Sequence, residues 1–177
     1  MAMTLITTNT SSDATNSAFT SSIDGTYKLY IFKFLDINPA TDNSDFSFNG
    51  SIDGGSNYNV TKTTTTGHGH HYEDDSGAGL TYTPSWDLAQ STDYVNLFND
   101  LGGGSDESGA GTLWLFNPSS TTYVKHFYLM GSYYFHNDQY ANPFFGGYFN
   151  STDNIDAVDF KMSSGNFDGT IKMYGVG

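Results

Sequence analysis

The sequence predicts an all-β protein: an antiparallel β-sandwich of jelly-roll type with long polar loops at one end. Three observations carry this expectation. Strong helix formers are scarce, while 20 Gly, 13 Tyr and 14 Phe, with many Thr, Ser and Asn, favour pleated strands joined by tight turns. Apolar residues recur at period two in several short stretches, and clusters of Gly, Asn, Asp and Ser separate those stretches. A chain of 177 residues is long enough to bury one core. It is read as one sandwich domain over 1–177, with residues 1–20 as an N-terminal arm or first strand and 62–112 as a loop-rich insertion.

Tyr27 to Leu35 carries apolar or aromatic side chains on both alternating faces, broken only by Lys28 and Lys33, which predicts a strand covered on both sides. Phe46, Phe48 and Ile52 alternate with Ser47, Asn49 and Ser51, so the next strand buries one face and wets the other, before a turn at Asp53-Gly54-Gly55. Further strands are expected at Leu113 to Phe116, Tyr123 to Phe135, Phe144 to Phe149, Ala157 to Met162 and Phe167 to Val176. The last two are read as a hairpin, because Gly165-Asn166 tolerates the positive φ of a tight turn. Residues 62–85 and 99–112 read as loops by composition, and Trp86 to Phe98 as a short helix stopped by Gly102 to Gly104. The motif DGTYKLY at 24–30 returns as DGTIKMY at 168–174, which suggests either two turn-then-strand units with similar demands or two strands in equivalent, neighbouring places.

Charge narrows the partners. The chain has 6 basic residues, all Lys, and 19 acidic ones, all Asp except Glu73 and Glu107, for a net charge of −13. Binding a phosphate backbone requires clustered Lys and Arg, so nucleic acid and anionic membrane are excluded as partners. Met1 to Thr20 holds no basic region followed by an apolar run, and no stretch approaches a membrane span, so neither export signal nor anchor is expected. The absence of Cys excludes disulfides and thiol chemistry. The sequons at Asn9, Asn59 and Asn150 follow from the abundance of Asn, Ser and Thr.

Catalytic patterns are lacking. No phosphate-cradling loop, nucleophile elbow or zinc-protease helix is present, and no carboxylate pair stands in a recognisable context, so the chain is read as non-enzymatic with no cofactor. The most pointed polar feature is His68, His70 and His71 in GHGHHYEDD. In an extended segment His68 and His70 share one side, so three such pairs around a threefold axis would offer six imidazoles to a metal. That arrangement resembles the iron sites of phage fibre tips and implies a trimer; the bland alternative is a solvated loop. The aromatic surplus says more. Tyr30, Phe32 and Phe34 occupy one side of a two-faced strand, and Tyr123 to Phe135 is likewise two-faced, with Tyr128 and Tyr134 among its rings. One sandwich core absorbs one face per strand, so Tyr30, Phe32, Phe34, Tyr128 and Tyr134 are candidate interface residues of a homo-oligomer. Tyr82, Trp86 and Tyr94 are candidate ligand-stacking residues, with a host surface glycan as the ligand class.

The segments YKLYIFKFLDINPATD, SIDGGSNYNVTKTTT, GTLWLFNPSSTTYVKHF and GYFNSTDNIDAVDFKMSSGNFDGTIKMYGV resemble a family of structural proteins of marine tailed bacteriophages. The resemblance implies a virion-surface component with a β-sandwich fold and no catalytic residues, in contact with other capsid or tail proteins. Capsid decoration or a head fibre is the leading expectation. A receptor- or carbohydrate-binding module of a tail fibre is the alternative.

Overall fold

In the computed structural model, which describes residues 2–177, the chain is antiparallel β throughout. The strands are β1 (Met3–Ala14), β2 (Ser17–Phe19), β3 (Leu29–Pro39), β4 (Ser44–Ser51), β5 (Lys62–Tyr72) and β6 (Ala78–Tyr82). They continue as β7 (Val95–Leu101), β8 (Gly109–Phe116), β9 (Lys125–Phe135), β10 (Gln139–Phe149), β11 (Ala157–Met162) and β12 (Phe167–Val176). A larger layer runs β1-β12-β3-β8-β9-β10-β5-β6, and a smaller one runs β7-β4-β11-β2. The layers join where Leu101 of β7 pairs with Phe135 of β9. At the opposite seam the Asn9 amide of β1 donates to Ser17 Oγ at 3.2 Å and to the Ala18 carbonyl at 3.0 Å, which nearly closes the sheet into a barrel.

The two layers are held face to face by phenylalanine. The ring of Phe160 on β11 lies 5.2 to 6.1 Å from those of Phe19, Phe32, Phe34, Phe46 and Phe48. Phe48 in turn meets Phe127 and Phe149 across the gap. Such T-shaped and offset pairs follow from the ring quadrupole and add to the area they bury. At one end the connections at 20–28, 52–61, 83–94, 117–124 and 150–156 knit together, through bonds such as Ile155 N to Pro118 O at 3.0 Å and Asp156 N to Ser51 O at 3.0 Å. The Gly-rich connection 102–108 sits with Asp42 instead, since Gly103 N donates to its carboxylate.

Three sequence-based expectations are corrected here. Residues 62–72 are a strand, β5, because four consecutive threonines are β-branched and every second side chain from Lys62 to His68 is buried. The segment 86–98 holds only the end of a 3-10 turn at Pro84–Trp86, followed by an irregular run, with Gln90 at φ +51°, into β7, as its irregular apolar spacing allows no helical face. Finally, β11 and β12 are not a hairpin. Their turn, with Gly165 at φ +72°, carries the chain from the smaller layer to the larger, so that the apolar faces of the two strands oppose each other across the core. The strands that carry the echoing motifs, β3 and β12, are neighbours, but the motifs themselves do not pair: residues 168–174 lie opposite 31–38, and of 24–30 only Leu29 and Tyr30 reach β12, opposite Val176 and Gly175.

Two of the six lysines are fully buried, on either side of Phe149 in one row across β5, β10 and β9. Lys62 donates to the Asp93 carbonyl and Lys125 to the Ser151 carbonyl at 2.8 Å. Desolvation holds the Lys62 ammonium down to about 8, with the Asp93 charge opposing the shift only in part. The unfolded chain keeps that proton to about pH 10.4. Between these values the unfolded state binds more protons, so stability rises with pH and the penalty is fully present below about pH 8. Replacement of Lys62 by Met removes this dependence. Urea unfolding of both proteins across the range should show the parent gaining roughly 2–3 kcal/mol relative to Lys62→Met between about pH 7.5 and 10. Parallel profiles would mean that the ammonium reaches solvent.

Candidate functional site

Side chains alternate across each strand, so the residues opposite one another in the ladder define the outward face of the larger layer. Across β3, β8, β9 and β10 one row runs Ile31, Trp114, Tyr128, Gly146, and the next runs Lys33, Thr112, Met130, Phe144, continuing to Gly67 and Tyr82 on β5 and β6. Leu80, Tyr134 and Tyr140 extend the same face toward one end, Phe116 and Tyr148 toward the other. These are large side chains left in solvent: Leu80 keeps 78% of its surface, Met130 53% and Phe144 42%.

Glycines shape the face. The ring of Phe144 lies across Gly67, where an added Cβ would sit 2.6 Å from Phe144 Cε2, and the ring of Tyr128 lies over Gly146, 3.8 Å from such a Cβ. Trp114 stands beside Tyr128 at 5.7 Å between centroids. With no Cβ beneath it, the Phe144 ring lies down along the sheet beside Tyr128, and the result is a flat aromatic platform. A shallow trough of about 360 Å³ crosses it above Gly146 and Gly147, between His126, Tyr148, Thr63 and Thr65.

The outward face of the smaller layer is chemically opposite. There Asp159, 2% exposed, accepts from Asn16 Nδ2 at 2.8 Å and from the Tyr94 hydroxyl at 2.9 Å. The Lys161 ammonium sits 4.0 Å from the Tyr94 ring centroid. Asn49 bonds the Tyr58 and Thr92 carbonyls, which ties the covering loops down. Burial raises the Asp159 carboxyl above its ordinary range although those donors pull it down, and burial together with Asp159 pushes the Tyr94 hydroxyl up. This polar face is sealed by the chain itself.

The predicted site residues divide accordingly. Tyr30, Phe32 and Phe34 belong to the intrachain core, not to an interface; Phe32 and Phe34 pack on Phe160, and the Tyr30 hydroxyl accepts from Asp24 N at 3.0 Å. The outward side of that strand is instead Leu29, Ile31, Lys33 and Leu35. Tyr128 and Tyr134 do lie on the exposed platform, Tyr134 bonding Asp138 at 3.0 Å. Tyr82, Trp86 and Tyr94 do not converge. Tyr82 faces outward on β6 and bonds Asp87, Trp86 turns beneath β5 to stack on His68 at 5.2 Å, and Tyr94 is on the other layer. His68 and His70 share one side as expected, their rings 5.5 Å apart, but that side is the inner one. His68 is 6% exposed between Trp86 and Phe135, so it cannot project to a threefold axis. Among the described residues no group of three or more His, Cys, Asp or Glu is placed to hold a metal.

The residues that sequence reasoning missed are Leu80, Met130, Tyr140 and Phe144. Their signal was the alternation of Tyr128, Met130 and Tyr134 against buried Phe127, Leu129 and Tyr133 on β9, repeated by Tyr140 and Phe144 against Ala141 and Phe145 on β10. Fold and surface together define an antiparallel β-sandwich with one sealed polar face and one open aromatic face. The chain matches no family model, no curated protein and no solved structure.

Proposed function

We propose that this chain is a non-enzymatic structural protein of a tailed-bacteriophage virion surface, a capsid decoration or head-fibre component that assembles through the outward face of its larger layer. The observation that carries the reading is the flat platform of Trp114, Phe116, Tyr128, Met130 and Phe144, left open while the outward face of the smaller layer is covered by its own loops. A contiguous apolar surface of this kind marks an interaction site, since a monomer gains nothing from keeping it in water. The likeness of the strand segments to marine phage structural proteins supports the virion setting, and the acidic loops suit a particle exterior by resisting nonspecific contact.

The test is rebinding. Purified protein added to phage particles stripped of their surface proteins should restore a regular layer on the heads by cryo-electron microscopy. Binding to host cells or glycans with bare heads would transfer the protein to a tail fibre and overturn the decoration reading.

A further inference from the structure

We infer that the open face of the larger layer is covered by a second copy of this chain, the two copies meeting platform to platform across a twofold axis. This inference rests on the assembly role proposed above and specifies the partner.

Charge distribution selects the partner. Strands β5, β6, β8, β9 and β10 contain no Asp or Glu. All 19 acidic residues lie in connections or on β1, β3, β4, β7, β11 and β12. Carboxylates from the connections do reach the outer tyrosines, Asp87 at Tyr82, Asp138 at Tyr134, and Glu73 and Asp106 beside Tyr134 and Tyr140, but none stands on the central strands. Two chains of net charge −13 repel each other, and they approach at least electrostatic cost where the centre of the contact holds no carboxylates. A basic partner would gain from an acidic contact surface; an equally acidic partner, such as a second copy, requires one whose acids are kept away from its centre.

Area and chemistry agree. Leu80, Tyr82, Phe116, Tyr128, Met130, Tyr140 and Phe144 each retain between 40% and 78% of their surface. At the size of such side chains the patch presents on the order of 800 Å², which is what one partner contributes to a standard stable interface. Leu80, Met130, Phe116 and Phe144 carry no hydrogen-bonding group, which suits a protein surface better than a sugar. Symmetry follows from the other layer. Its outward face is sealed and polar around Asp159 and Asn49, so it offers no complement to the platform, and like must pair with like. An isologous contact of this kind closes at two copies.

Sedimentation equilibrium of the full chain checks this. The expected result is a dimer at micromolar concentration that tightens as salt rises from about 20 to 200 mM, because the repulsion being screened is net like-charge repulsion. Met130→Glu and Phe144→Glu, each outward-pointing, should weaken the dimer about 100-fold or more with an unchanged circular dichroism spectrum, since each buries an unpaired carboxylate. Ile52→Glu, an exposed apolar site on the smaller layer's side, should leave it intact. Hydroxyl-radical footprinting of the parent needs no substitution: Met130 oxidation should fall as concentration rises, while Met3 stays reactive.

A chain that is monomeric at about 100 μM in high salt, or a dimer indifferent to both substitutions, overturns the inference. If that monomer coats stripped heads, the partner is another virion protein and the assembly role stands; if it binds glycan through the platform, the occupant is a sugar. A dimer lost with Met130→Glu that never binds heads would uphold the inference and overturn the virion role.

Discussion

Phe160→Ala should lower stability by about 3–5 kcal/mol, the range for removing a fully buried aromatic ring. The ring sits at the centre of the molecule, meeting Phe32 and Phe34 from the larger layer and Phe19, Phe46 and Phe48 from the smaller, so its loss leaves a void that neither layer can close alone. For a chain of this length that loss corresponds to a fall in Tm of roughly 8–16 °C. Phe160→Leu keeps much of the volume and should lose less than half as much. Urea unfolding should show the midpoint falling with an unchanged slope, the mark of a stability change without a change in the surface exposed. A loss below about 1 kcal/mol would mean that the two layers are not held together through this cluster, and with it would go the rigid support of the outer platform.

The sequence specified strands more clearly than it specified which layer they join. Period-two alternation identified both faces of Leu29 to Leu35, but both are apolar, so nothing local decides whether Tyr30, Phe32 and Phe34 or Leu29, Ile31 and Leu35 face inward. The decision is tertiary. The inward set meets Phe160, while Ile31 on the other side is covered by its ladder partners Trp114 and Tyr174. The same limit produced the expected hairpin at Ala157 to Val176, because a tight Gly165-Asn166 turn serves a crossing between layers as well as a hairpin, and face alternation is identical in both.

Polar strands were the harder class. KTTTTGHGHHY looked like a loop because its buried alternate positions are Lys62, Thr64, Thr66 and His68, whose burial depends on a carbonyl from Asp93, on the segment through Leu88 and on the overlying Trp86. None of those partners is adjacent in the sequence. The site was half legible for the same reason. Two-faced aromatic strands announced an uncovered surface, and Tyr128 and Tyr134 lie on it; the ring of Phe144 lies flat there because Gly67 of the neighbouring strand is beneath it, and strand register is what brings the two together.

Gly131→Val should be the most disruptive single change on β9. The Phe98 ring is seated in a cradle of three glycines, with hypothetical Cβ atoms at Gly109, Gly111 and Gly131 lying 2.8, 3.2 and 2.6 Å from it. The ring has no room to yield: it is fully buried, stacked on Tyr133 at 5.1 Å and on Phe46 at 5.7 Å. Gly131→Ala sets an overpacking cost of about 1–3 kcal/mol against a gain of roughly 0.5–1 kcal/mol from reduced chain entropy. Valine adds two methyl groups and should cost about 3 kcal/mol or more, by the same overpacking. Phe98→Leu in the same chain opens the space, so the double substitution should recover about 1–3 kcal/mol relative to the sum of the singles, measured as a double-mutant cycle in urea. Additive losses would show that Gly131 is needed for some reason other than the Phe98 ring. The consequence reaches the opposite face of the strand, because Met130 and Ser132 flank Gly131 and point outward. Gly131→Val therefore pushes β9 out of the plane that keeps the platform flat, and it should weaken self-association although the new side chain faces the core. Restoration of both stability and association by Phe98→Leu would tie the glycine cradle to the assembly surface.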